Sequence, residues 1–143
     1  MSVNPAIIPC LAYRDAHAAI DFLCEAFGFS RNMIYESEDK TRIEHAELTL
    51  DGNMIMLGSV SAQLGETLAM VTPAETGGKV TASIYVVLHD PDAHHARAVQ
   101  AGADIINPPT DRSYGGRRYE ARDIEGNVWS FGSYDPFEIF IDV

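Results

Sequence analysis

With 143 residues, 46% hydrophobic and 22% charged, the chain is long enough to fill one core and too short for two independent domains. Its 21 acidic residues against 10 basic ones give a formal charge of −11. That works against nucleic acid or an anionic membrane as partner, where affinity rests on lysine and arginine. No apolar stretch approaches the roughly 20 residues of a membrane-spanning helix, and no charged-then-apolar leader opens the chain, so a cytoplasmic protein is expected.

The first predicted element is an apolar run of strand length, Ile7 to Tyr13. Asp15 then offers an N-cap to a helix reaching about Phe27, in which Ile20, Leu23, Cys24 and Phe27 share one face at i, i+3, i+4 and i+7. Gly28 supplies its left-handed stop. Met33–Tyr35 and Ile43–Leu50 read as strands, Asp51-Gly52 as a hairpin turn and Met54–Leu57 as the returning strand. Segment 60–80, with Gly65, Pro73, Gly77 and Gly78, is a connecting loop. Ala82–Leu88 is the next strand. Asp90-Pro91 opens a second helix with Ala93, Ala96 and Val99 as a small-residue face and Gly102 as its stop. Strands Ile105–Ile106, Arg118–Arg122 and Val128–Phe131 follow, with 107–117 as a flap. The tail from Tyr134 carries Phe137, Ile139, Phe140 and Ile141 and is expected to pack on a partner or back on the domain. Cys10 and Cys24, inside apolar patterns, read as reduced, buried thiols.

The chain repeats itself. Asp51-Gly52-Asn53-Met54-Ile55-Met56-Leu57-Gly58-Ser59 recurs as Glu125-Gly126-Asn127-Val128-Trp129-Ser130-Phe131-Gly132-Ser133, at an offset of 125 − 51 = 74. Gly28 and Gly102 share that offset, 102 − 28 = 74. Strand, helix and three strands therefore occur twice, in modules over 5–60 and 80–134 of one domain covering 1–143.

Periodicity assigns the faces. A two-residue turn pairs Leu48 with Ile55 and Ala46 with Leu57, which places that apolar set under the helix. His45, Glu47, Thr49, Met54 and Met56 then project from the other face. In the second module Trp129, Phe131, Ile84, Val86 and Leu88 take the helix side, while Ser130, Glu120, Ser83 and Tyr85 face away. Two sheets, each with one apolar and one mixed face, predict a curved cleft whose mixed faces line a pocket.

Several segments together resemble the vicinal oxygen chelate superfamily, the glyoxalase/bleomycin resistance/dioxygenase family. They are Tyr13-Arg14-Asp15 leading into Ala19-Ile20-Asp21-Phe22-Leu23, then Phe27-Gly28-Phe29, Ala98 through Ala101-Gly102-Ala103, Tyr114-Gly115-Gly116-Arg117, and Asp123 through Phe131. Ile124 stands where the family commonly has proline. The resemblance implies an α+β fold of tandem βαβββ modules forming a curved eight-stranded mixed sheet with helices on the outer face. It also implies a small-molecule ligand and a homodimer. Enzymes of the family hold a divalent metal on the first and last strands of each module. Those positions map to Ser83 and Ser130, and through the 74-residue offset to about Pro9 and to Met56. Such side chains are poor ligands for Zn²⁺, Ni²⁺ or Fe²⁺, so no metal cofactor is expected.

His45 and Glu47, at i and i+2, could with Glu120 form a displaced metal site. The alternative function is thus a divalent-metal-dependent lyase, isomerase or dioxygenase; a solvated polar rim is the expected role. Tyr85, Tyr114 and Met56 are the pocket candidates, joined by Ser83 and Ser130 and by Arg117 on the flap. Trp129 and Phe131 belong to the core. His94 and His95 splay about 100° apart on a helix and make no metal pair. His17 and His89 are surface residues, and Asp123 and Glu125 bond backbone N–H groups at a turn. No residue is marked as a nucleophile. The expected function is a binding protein of bleomycin-resistance type that sequesters a small cationic or aromatic molecule, with an accessory module that binds a macromolecular partner as a further alternative.

Overall fold

Asp15 starts the first helix as its spacing predicts: its carboxylate accepts the Ala18 N–H at 3.1 Å, and Gly28, at φ 89°, ends the helix. The computed structural model describes residues 2–138. Strand β1 (Cys10–Tyr13), helix α1 (Ala16–Phe27) and strands β2 (Ser30–Glu36), β3 (Ile43–Leu50) and β4 (Asn53–Ser59) form the first module. The linker holds the short helix α2 (Gln63–Glu66) and a 3-10 turn at Pro73–Thr76, where the sequence predicts only a loop. Strand β5 (Ser83–Val87), helix α3 (Pro91–Gln100) and strands β6 (Asp104–Asp111), β7 (Arg117–Arg122) and β8 (Val128–Gly132) repeat the pattern.

The eight strands form two mixed sheets of four, ordered β1-β4-β3-β2 and β5-β8-β7-β6, with β1/β4 and β5/β8 parallel and the rest antiparallel. The α+β class and the tandem βαβββ order hold. Some local expectations do not. Ile7 is fully exposed, and the first strand begins only at Cys10, which is itself exposed rather than buried. β6 runs on to Asp111, so half of the expected flap is strand and only 112–116 turns. Of the tail, Phe137 lies exposed rather than folded back on the domain, which leaves a partner as its expected cover, while Ile139, Phe140 and Ile141 fall outside the described residues.

The strand register is the one the turn chemistry predicts. Ala46 pairs with Leu57, Leu48 with Ile55 and Glu47 with Met56; in the second sheet Glu120 pairs with Ser130 and Ala121 with Trp129. The helix sides of both sheets drain into one core, in which Ala46, Leu48, Ile55 and Leu57 share a cluster with Tyr119, Ala121, Trp129 and Phe131. Phe27 joins them: its ring lies 5.4 Å from Trp129 and 4.7 Å from Phe131. The mixed faces consequently point away from this core.

The second module also holds both ends of α1. That helix has no acidic residue in its first turn and no basic one in its last. Glu125 accepts the Arg14 and Asp15 N–H groups at its start, at 2.7 and 2.8 Å. Arg97 donates to the Glu25 and Cys24 carbonyls near its end, at 2.8 and 3.0 Å. A carboxylate before the N-terminus and a cation at the C-terminus are the signs the helix dipole favours.

α3 buries a different face from the expected one. Ala93, Ala96 and Val99 are exposed, while Pro91 and Ala98 are buried and His94 sits between them against the core. Counting histidine as polar hid this stripe. Both ring nitrogens of His94 are satisfied, Nε2 by the Phe27 carbonyl at 2.9 Å and Nδ1 by the Tyr119 hydroxyl at 2.6 Å. A carbonyl can only accept, so Nε2 carries the proton and Nδ1 accepts from Tyr119. Burial, with a contribution from Arg97, pushes the His94 pKa below its ordinary value, against the pull of the Phe27 carbonyl. Its neutral form is favoured on folding, so the unfolded chain takes up a proton first as pH falls. The urea midpoint should therefore drop as pH is lowered below about 6.5. In His94→Gln that part of the slope should vanish, and an unchanged slope from pH 7 to 5 would refute the assignment. Glu47, Asp92 and Glu120 are held below their usual range and lose their contribution only at lower pH.

Candidate functional site

On the first mixed face, His45 Nε2 lies 2.9 Å from Glu47 Oε2, and Asn32 Nδ2 donates to Glu47 Oε1 at 2.8 Å. Met56 stands across from Glu47, and Cys10 across from Met56. On the second, Arg118 Nε donates to Glu120 Oε2 at 2.7 Å, and Asn107 Nδ2 to Glu120 Oε1 at 2.9 Å. Ser130 stands across from Glu120, and Tyr85 across from Ser130. Each face thus presents the same frame: a glutamate held by an asparagine from the neighbouring strand and by a basic side chain two residues earlier. Sequence reasoning misses Asn32, Asn107, Arg112 and Arg118.

The second frame carries more. Arg112 Nη2 approaches both Glu120 oxygens, at 3.0 and 3.1 Å, so two guanidinium groups share one carboxylate. Burial works against the Glu120 charge, but hydrogen bonds from Arg118 and Asn107 and the nearby charge of Arg112 outweigh it and hold the carboxyl below its usual range. Arg118 lies over the Tyr85 ring, 5.7 Å from its centroid, and donates to the Tyr114 hydroxyl at 3.2 Å. Tyr85 donates to the Tyr134 carbonyl at 2.6 Å. Gly132 makes this stacking possible, since a Cβ there would stand 2.8 Å from the Tyr85 hydroxyl oxygen. Glu120 is already saturated with donors and is no free carboxylate for a cationic ligand.

The edge strands β1 and β5 flank a cavity of about 580 Å³ covered by linker residues Met70–Pro73 and Lys79–Ala82. Of the predicted site residues it gathers Ser83 and Tyr85, with Pro9 on the facing wall. Met56, Ser130, Tyr114, His45, Glu47 and Glu120 do not line it. Arg117 serves α3 instead, donating to Asp92 at 2.8 Å and to Asp111 at 3.2 Å.

The positions at which the fold implies a metal do not fit one. The helix caps Asp15 and Asp90 are 90 − 15 = 75 apart, so the partner of Ser83 is Ile8 rather than Pro9. Isoleucine, methionine and two serines offer no imidazole or carboxylate. Within one chain His45 and Glu47 belong to one sheet and Glu120 to the other. Among the described residues, no three His, Cys, Asp or Glu side chains come together as a metal site.

The fold and this pair of mixed faces define a class. A family profile described as Glyoxalase/Bleomycin resistance protein/Dioxygenase superfamily matches residues 6–131, and the chain belongs to that superfamily. It is 33% identical over 132 residues to the uncharacterized protein Mb0911c of Mycobacterium bovis, covering 92% of this chain and 85% of that one. Among solved structures it is similar to TioX from Micromonospora sp. ML1, at 33% identity and a TM-score of 0.68, covering 90% of this chain and 94% of that one. The fosfomycin resistance protein FosX from Mesorhizobium loti shares the fold, at 16% identity and a TM-score of 0.64, over 96% and 98% of the two chains. No helix among the described residues is long and apolar enough to cross a membrane.

Proposed function

We propose that the chain is a small-molecule-binding protein that takes its ligand in the cavity between β1 and β5, along Tyr85 onto the second mixed face, without a bound metal. The cavity carries this reading. Its volume of about 580 Å³ falls within the roughly 300–1,000 Å³ of ligand pockets, and its walls are mainly apolar with a few polar groups, among them Thr81 and Ser83. A second copy of the chain closes the site, because the mixed faces point outward from the core. The cytoplasm, where the free thiols Cys10 and Cys24 stay reduced, is the expected compartment. The alternative of a metal-dependent lyase, isomerase or dioxygenase would draw its donors from His45, Glu47 and Glu120, which lie on two different sheets.

A thermal-shift screen of aromatic and heterocyclic compounds tests the proposal. A true ligand at 100 times its Kd should add about 2.7 kcal/mol of stability. Tyr85→Ala, which removes a wall, should abolish the shift, whereas His17→Ala on the far surface should keep it. A shift that survives Tyr85→Ala, or no shift with any compound, defeats the reading. Metal analysis after loading with Zn²⁺ should find no stoichiometric ion; one that is lost in His45→Ala would revive the metal-dependent alternative.

A further inference from the structure

We infer that Arg112 and Arg118 make the second mixed face a site for a planar aromatic carboxylate, which sets the ligand class for the binding proposed above and rests on it. The net charge of −11 favours a cation, but the local charge runs the other way. Arg31 pairs with Asp21, Arg42 with Glu44, Arg122 with Asp104, and Arg117 with both Asp92 and Asp111. Among the described residues, the one carboxylate that Arg112 and Arg118 pair with is Glu120, so two guanidinium groups share a single ion-pair partner.

The repeat identifies which arginine is the addition. Both faces share the asparagine, the glutamate and the basic residue two before it. Arg112 has no equivalent in the first frame: at the 75-residue offset that relates Asn32 to Asn107, its counterpart is Ser37, which bonds Asp39 and the Arg42 N–H. Among the described residues, none offers an acceptor to the buried Arg112 Nε. An unmet donor on a charged group is unfavourable, and an incoming oxyanion that draws the guanidinium forward would relieve it. Arg118 spends Nε on Glu120 and Nη1 on Tyr114, and no described residue takes its Nη2. A guanidinium edge left open beside a second guanidinium matches the two oxygens of a carboxylate. The Tyr85 ring under Arg118 and the Tyr114 ring, packed edge-on to Tyr134 with centroids 5.4 Å apart, give a flat body aromatic surface to lie on.

Calorimetric titration of the full chain with 2-naphthoate, 2-naphthamide and 2-naphthylmethylammonium separates the possibilities. Naphthoate should bind about tenfold or more tightly than the amide, and its affinity should fall between about 20 and 200 mM NaCl. Arg112→Gln leaves the Arg118–Glu120 pair in place and so spares the fold. It should cost naphthoate about tenfold and the amide little. An amide or ammonium that binds as tightly as naphthoate, or an Arg112→Gln protein with unchanged naphthoate affinity, overturns the carboxylate assignment and leaves small-molecule binding standing. Silence from all three probes also overturns it. If the thermal-shift screen is silent as well, both readings fall.

Discussion

Phe27→Ala should lower the free energy of unfolding by about 3–5 kcal/mol, measured by urea denaturation. The ring is wholly buried, and it touches Phe22, Trp129, Phe131 and His94 at centroid distances of 5.3, 5.4, 4.7 and 6.1 Å. It ends α1 and enters the core of the other module, so truncation opens a void that neither sheet can close alone. A domain of this size has only about 5–15 kcal/mol of stability, and such a loss would bring it close to unfolding at 37 °C. A cost under about 1.5 kcal/mol would mean that the modules do not meet on this ring.

Asp123→Ala should cost nearly as much, about 3 kcal/mol or more, because it strands several donors at once. Oδ2 accepts the Tyr13 hydroxyl at 2.6 Å and Trp129 Nε1 at 3.1 Å; Oδ1 accepts the Glu125 and Asn127 N–H groups, both at 3.0 Å. Tyr13 and Trp129 are wholly buried and have no route to water. Burial first, and then the Asp123 charge, pushes the Tyr13 pKa well above its ordinary value, so its hydroxyl remains a donor. Tyr13→Phe removes one donor and leaves the carboxylate its other partners, and about 1 kcal/mol is expected. If the two substitutions cost the same, Asp123 is not the hub described here.

Much of the fold is legible in the chain because the signals agree locally. Asp15 and Asp90 cap, Gly28 stops, and the Asp51-Gly52 turn fixes a register that sends Ala46 and Leu48 inward. The His94 stripe was hidden because its polar atoms are met by Tyr119 and a carbonyl of the other module, a tertiary fact with no local trace. The duplicated frame was hidden by a fixed offset. The asparagines are 107 − 32 = 75 apart and the glutamates 120 − 47 = 73, on either side of the 74 set by the last strands. A longer β7–β8 turn and an irregular β6 account for the drift. Placing Glu120 on the mixed face needed only alternation; seeing that Arg112 returns from beyond β6 to bond it needed coordinates.

The grip of Glu125 and Arg97 on α1 bears on how the halves could live apart. A fragment stopping near residue 60 would keep every strand of its sheet and the Asp15 and Gly28 caps, yet release a helix stripped of its charged end partners and with a greasy flank. Copying doubled the unit, but the first copy has since become a dependant of the second. Severing the linker should therefore yield two pieces that recover structure only when mixed.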